Sequence, residues 1–338
     1  EPGDDRRETL LKVSEELLRK LISQGLALRQ VDALVGRVLR ALLQGREKLD
    51  TRTLSLLMSY DGDRACIPID RCKGPLEGVV HLGNKGYLIK RLARDGLPVP
   101  PGFVLTTEVF RCRDAILASA ALRRDIAERI RAEISRLERE TGRRLGDPER
   151  PLLVSVRSGS AISMPGILDT ILNVGMNVNV TEGFAVSSGS AWGAWDAYRR
   201  LLQYWGMGQG IARNRFDALM REAKERYGVS KKANLSADQM CELALCYRDF
   251  LRDEGDPIID EPFAQILACV NLVLDSWSSE RSRLYRRELH IAEEWGTAVI
   301  VQSMVYGNLN ARAGTGVAFT CDPRRTAPGV SLYGDFTT

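Results

Sequence analysis

Over the first 45 positions, leucine, isoleucine and valine return every three or four residues among charged neighbours. This predicts two amphipathic helices, Arg6–Gln24 and Leu28–Leu43, turning at Gly25. Such a hairpin either docks on the main body through its apolar stripe or offers that stripe to a partner chain. Asp50–Gly78 is mixed and turn-rich, and its pattern assigns no element. From Val79 the character changes. Val79-Val80-His81-Leu82 predicts a strand, Gly83–Gly86 a turn, and Tyr87–Ala93 a helix stopped near Gly96. The prolines of Leu97–Gly102 form a stiff extended connector into a strand at Phe103–Thr106. A charged helix at Leu122–Gly146 carries the stripe Ile126, Ile130, Ile134 and Leu137. Leu152–Val156 is too short an apolar run for a helix and reads as a buried strand; Ile167–Val174 turns apolar again after a loop.

The next hundred residues change period. Trp195–Trp205 is an aromatic helix whose plain reading is core. Phe216–Gly255 is mostly helical, with Ser236 and Gln239 spaced as a capping box, and Pro262–Arg287 is helical with a break near Ser278-Ser279. The β-branched run Thr297–Val305 restores a strand, and a last one is expected at Leu332–Phe336. The chain therefore reads as an α/β (α+β) protein with a helical subdomain set between strands.

Composition narrows the function classes. The chain has 338 residues, 44% hydrophobic and 27% charged, enough for a substantial core in two or three subdomains. A net charge of +4, with basic residues scattered among acidic ones, gives no footprint for nucleic acid. No apolar run reaches membrane-spanning length and the first residues are acidic and polar, so no membrane partner is expected. Seven cysteines without a C-x-x-C pair, and only two histidines, argue against zinc and for free thiols in the cytoplasm. The start at Glu1 suggests a processed protein or an excised fragment.

Two basic residues stand out. Arg157 closes the strand Leu152–Val156 and is followed by Ser158-Gly159-Ser160; burying a guanidinium there is costly without an anionic partner. Either it is salt-bridged within the fold, or the small residues after it let backbone N–H groups and the guanidinium share a bound anion. Lys85 sits in a glycine turn ahead of a helix, where a lysine is either simply solvated or reaches anionic oxygens beside free N–H groups. The Walker spacing is absent. Gln302, alone in a β-branched strand, reads as a satisfied core amide or a ligand.

The segments PLLVSVRSGSAISMPGILDTILNVGMN (151–177), LGNKGYLIKRLARDGLPVPPGFVLTT (82–107), TAVIVQSMV (297–305) and AGTGVAFTCD (313–322) resemble, in order, the nucleotide-binding domain of the pyruvate phosphate dikinase family. The loop Met164-Pro165-Gly166 favours that branch over the related phosphoenolpyruvate synthases. The resemblance runs from about Val79 to the end and implies an ATP-grasp fold. Its parts would be an N-terminal helical extension (1–78), a first lobe (79–194), a helical subdomain (195–287), and a hinge strand with the start of a truncated second lobe (288–338). It also implies ATP as ligand. Lys85 and Arg157 would serve as the catalytic and phosphate-binding cations, and Gly166, Gly314 and Gly316 would belong to loops over the phosphates. Gln302, Met304 and Val305 would lie at the adenine hinge. Cys321 departs from the family's usual arginine. The implied reaction moves a phosphoryl group from ATP to a histidine on a separate domain, which delivers it to pyruvate on a barrel domain to form phosphoenolpyruvate. The Mg²⁺ ligands are expected outside this chain, so alone it would bind ATP weakly and not turn over. Self-association remains open. The alternatives are a non-catalytic nucleotide-sensing or scaffold module of the same fold, or a phosphoenolpyruvate synthase or glucan dikinase with another acceptor.

Overall fold

The computed structural model describes residues 13–14, 60–69, 78–162, 164, 168–307, 313–319 and 333–337. The chain divides into two compact units, Glu1–Ser59 and Tyr60–Thr338. In the first unit, residues 13–14 are helical, and the remainder of the two expected N-terminal helices lies outside the described residues.

The second unit is built on a five-stranded sheet. Its strands are β1 (Cys66–Pro68), β2 (Gly102–Leu105), β3 (Val154–Gly159), β4 (Thr170–Val174) and β5 (Ala298–Ser303), in the spatial order β1-β2-β5-β3-β4. Every neighbouring pair is antiparallel. β2 and β5 are buried at every position, which is why their sequences run apolar without alternation. β1 lies in the stretch whose pattern assigned no element. It is an edge strand ending in Pro68, where a missing N–H costs no ladder bond. β6 (Thr315–Phe319) and β7 (Tyr333–Thr337) form a separate antiparallel ribbon.

The helices are α1 (Val79–Arg94), α2 (Thr107–Arg111), α3 (Arg113–Ala118), α4 (Ala120–Thr141), α5 (Val178–Ser188), α6 (Ala191–Gly208), α7 (Arg213–Arg226), α8 (Ala237–Asp253), α9 (Pro262–Ser276) and α10 (Glu280–Glu288). The expected capping box at Ser236 and Gln239 starts α8, with both reciprocal bonds formed. The break near Ser278-Ser279 separates α9 from α10, Ser279 capping the latter through Ser282 N–H. The stripe of α4 is buried as expected: Ile126, Ile130, Ile134 and Leu137. In α6, Trp195, Tyr198, Leu201, Leu202 and Trp205 are core, packed against α8. The span from Val178 to Glu288 contains no strand, and α9 lies against β3 and β4.

One local expectation is overturned. Val79–Leu82 is the first turn of α1 and not a strand, with the N–H groups of His81 and Leu82 both donating to the Gly78 carbonyl. The β preference of a Val-Val pair yields because one helical turn lowers Leu82 into the core beside Ile69, Val104, Ala298 and Ile300. α1 is then broken at Gly83, whose φ of 68° and ψ of 164° belong to a region open only to glycine. The expected turn thus survives as a single residue.

The helical region carries its own electrostatic hub. Asp196 is 1% exposed and accepts from Arg199, Arg200 and Lys232 at 2.8–3.1 Å. Burial pushes the Asp196 carboxyl up, but Arg199, Lys232 and Arg200 together outweigh it and hold the pKa below 3.8. Asp196→Asn leaves the buried Arg199 with no ionic partner, and a loss of about 3–5 kcal/mol is expected in urea unfolding at neutral pH. Because the folded pKa is depressed, this contribution is complete above the unfolded value near 3.8 and fades as pH falls through the folded one. The gap between wild type and variant should therefore close only in acid. A variant as stable as wild type at pH 7 would remove the hub from the stability account.

Candidate functional site

Register decides where Arg157 points. Cross-strand partners share a sheet face, and Arg157 lies opposite Ile300, which lies opposite Val104. Val104 and Ile300 pack against Leu82 of α1. Arg157 is therefore on the α1 face, and it lies inside β3 and not after it as expected, because the ladder with β5 runs on through Ser158 and Gly159 to where the kinked helix crosses. The kink makes the crossing close: a Cβ on Gly83 would overlap the Gly159 carbonyl, and the Asn84 N–H donates to the Ser160 carbonyl at 2.9 Å. Lys85, one residue further, folds its ammonium back to donate to the Ser158 carbonyl at 3.4 Å.

The two cations meet without a counter-charge. Lys85 loses part of its hydration and feels Arg157, and both effects lower its pKa from 10.5. Burial lowers that of Arg157, whose Nε is buried and makes no hydrogen bond. No carboxylate within 4.0 Å neutralises either one among the described residues, although the protein pairs many of its other arginines. A partly buried Arg157 beside the like charge of an exposed Lys85 is a standing cost to the fold. Of the two readings the sequence left open for Arg157, internal salt-bridging is thus not what the described residues show.

The loop after β3 starts with Ser160, whose hydroxyl donates to the Ile162 carbonyl at 2.5 Å. Met164 then inserts between Trp277 and Ile291, 7% exposed, and anchors the loop on the α9–α10 corner. Gly166 lies outside the described residues.

At the far end of β5 the chain leaves the sheet under control. Gln302 is buried, its Nε2 donating to the Pro100 carbonyl at 3.0 Å. The Met304 N–H donates to the Leu153 carbonyl at 2.9 Å, so it is taken within the fold. Val305 projects, 74% exposed, and its peptide N–H and the carbonyl of Met304 have no hydrogen bond among the described residues. From Ile300, opposite Arg157, to Val305 the chain covers roughly 16 Å at extended-strand rise.

Gly314 is exposed, and Gly316 sits in β6 opposite Phe336. No described contact joins either of them to Lys85 or Arg157. Three participants escaped sequence reasoning. Gly83 was visible only as one member of a turn. Asn173, left-handed at φ 62°, and Tyr306 were hidden in apolar runs, where a lone amide or phenol among β-branched residues is the available signal.

The mixed helix-and-sheet unit with its antiparallel sheet is of the ATP-grasp type. The chain belongs to the pyruvate phosphate dikinase AMP/ATP-binding domain family, whose model matches residues 113–332. It is 39% identical over 258 residues to pyruvate, phosphate dikinase of Clostridium symbiosum, covering 75% of this chain and 29% of that protein. It is 40% identical over 257 residues to the chloroplastic pyruvate, phosphate dikinase 1 of Arabidopsis thaliana, covering 75% and 26%. To the Rhizobium meliloti pyruvate, phosphate dikinase it is 36% identical over 268 residues, covering 79% and 29%. The chain spans less than a third of the length of these relatives. No helix among the described residues is long and apolar enough to cross a membrane.

Proposed function

We propose that the chain holds ATP with its phosphates between Lys85 and Arg157 and its base at Met304 and Val305. In this reading it is the phosphoryl-donating unit of a dikinase. The transfer goes to a histidine on a separate domain, and onward to pyruvate to give phosphoenolpyruvate. The observation that carries the reading is the convergence of Lys85 and Arg157 with no counter-charge among the described residues. A loose phosphoryl-transfer transition state spreads charge over the equatorial oxygens, and it asks the protein for fixed cations and N–H donors more than for covalent chemistry. Arg157 offers a planar donor pair to two oxygens of one phosphate, and Lys85 a point charge to a neighbouring one. Mg²⁺ would supply charge neutralisation between phosphates. Among the described residues no three His, Cys, Asp or Glu side chains come together for a metal, so none is assigned to it and no step is derived through it.

The lobes 79–194 and 288–338 and the helical subdomain 195–287 belong to the same proposal, as do Gly166, Gly314 and Gly316 as phosphate-loop glycines. The partners are the phosphohistidine and pyruvate-binding domains that the greater length of the relatives leaves room for. The compartment proposed is the cytoplasm, which suits the free thiol of the buried Cys269. Self-association of the assembled enzyme is part of the reading.

Proton linkage tests it. In the free protein the Lys85 pKa lies below 10.5, and a bound polyanion favours the charged form and draws it back up. Nucleotide binding is therefore expected to take up a proton at alkaline pH, and affinity to fall as pH rises through the lowered Lys85 value. Calorimetric titration with ATP in two buffers of different ionisation enthalpy measures the uptake. It should vanish in Lys85→Met, which should also bind about tenfold more weakly. Uptake that persists unchanged in the variant would remove Lys85 from the phosphate site.

A further inference from the structure

The segment leaving β5 is held from a second side. Asn173 in β4 stands next to the register shift between Val154 and Val156 and adopts a left-handed backbone, φ 62°. Asparagine is one of the few residues that enter this region at modest cost. Its side chain is 3% exposed and engaged at both ends: Nδ2 donates to the Ala197 carbonyl of α6 at 2.9 Å, and Oδ1 accepts from the Tyr306 hydroxyl at 3.1 Å. The donor to a carbonyl must be the amide nitrogen, so the orientation follows from the chemistry. The Tyr306 ring packs on Phe184 of α5, with centroids 5.2 Å apart. Burial raises the Tyr306 pKa, so its hydroxyl stays a donor at every working pH. Val305 is thereby bracketed: Met304 is tied to Leu153 on one side and Tyr306 to Asn173 on the other.

We propose that Asn173 and Tyr306 are positioning residues for the nucleotide base, forming a latch that fixes the Met304–Val305 peptide and couples it to the helical region through Ala197. The inference rests on the hinge reading given above and extends it. A free peptide that is already ordered loses little freedom when a base docks on it, so the latch contributes to affinity through preorganisation and touches no ligand itself. A strained non-glycine backbone that the surroundings hold in place is the kind of feature that persists where it serves a site.

The split between base and phosphates makes the role testable. In titrations of the chain, Tyr306→Phe keeps the ring on Phe184 and is expected to weaken ATP about tenfold while inorganic tripolyphosphate changes by less than about twofold. Asn173→Gly keeps the left-handed backbone without strain. If the two residues act as one latch, the double variant Asn173→Gly/Tyr306→Phe should weaken ATP no further than Tyr306→Phe alone. Equal weakening of ATP and tripolyphosphate would show a merely structural contact and overturn the proposal, as would unchanged ATP affinity or additive losses. Should the wild-type chain bind tripolyphosphate as tightly as ATP, the hinge reading itself fails and the positioning role falls with it.

Discussion

Arg157→Met is expected to weaken ATP binding by at least about a hundredfold and, at the same time, to raise the melting temperature by about 2 °C. The two halves have one cause. In the free protein the guanidinium is partly buried, its Nε has no partner among the described residues, and it sits beside Lys85. Methionine fills much of the same space and removes both the desolvation cost and the repulsion, so the empty fold gains. With nucleotide present the balance reverses. The variant loses a bidentate charge-assisted donor and leaves phosphate oxygens facing only Lys85 and backbone dipoles. Titration calorimetry and a thermal melt, each with and without ATP, read both sides. A variant that melts lower and still binds ATP normally would mark Arg157 as a structural residue.

Gly83→Ala should be the most damaging small substitution near the site. The methyl group meets the Gly159 carbonyl, and the backbone at φ 68°, ψ 164° excludes a Cβ even in open space. A loss of about 2–4 kcal/mol in urea unfolding is expected, with the Asn84-to-Ser160 bond broken and Lys85 carried away from Ser158. Binding of both ATP and tripolyphosphate should fall together. This separates the kink from the Tyr306 latch, which is expected to act on the base end alone. A stable Gly83→Ala protein with normal phosphate affinity would mean that α1 can cross β3 without this close approach.

Much of this was legible in the chain, for identifiable reasons. Thr297–Val305 could only be a strand, and the structure contains it as β5. The Ser236–Gln239 spacing and the Ser278-Ser279 break are local chemistry and appear as written. Arg157 was marked by the expense of a guanidinium at the end of a buried run. Three things were not legible in the local pattern. Val79-Val80 looks like a strand until the sheet order shows β1 already on the open edge of β2, and β1 itself hides in a turn-rich stretch. That Lys85 meets Arg157 was expected from the family resemblance alone, because it depends on register across β2, β5 and β3, which no local pattern encodes between strands so far apart. The pairing of Asn173 with Tyr306 joins residues 133 positions apart and likewise belongs to tertiary structure.

The place of β5 in the sheet also has a consequence for synthesis on the ribosome. β2 and β3 are not neighbours; each pairs with β5, which is made last of the five. Until Ala298–Ser303 has left the exit tunnel, two apolar strands have unpaired inner edges and the helical region must gather beside an unfinished layer. At ordinary elongation speeds of about 5–20 residues per second, the interval between β2 and β5 lasts on the order of 10–40 s. During that time the nascent chain exposes ladder groups that invite pairing with other chains. A single central strand thus sets both the geometry of the proposed nucleotide site and the moment at which it can first exist.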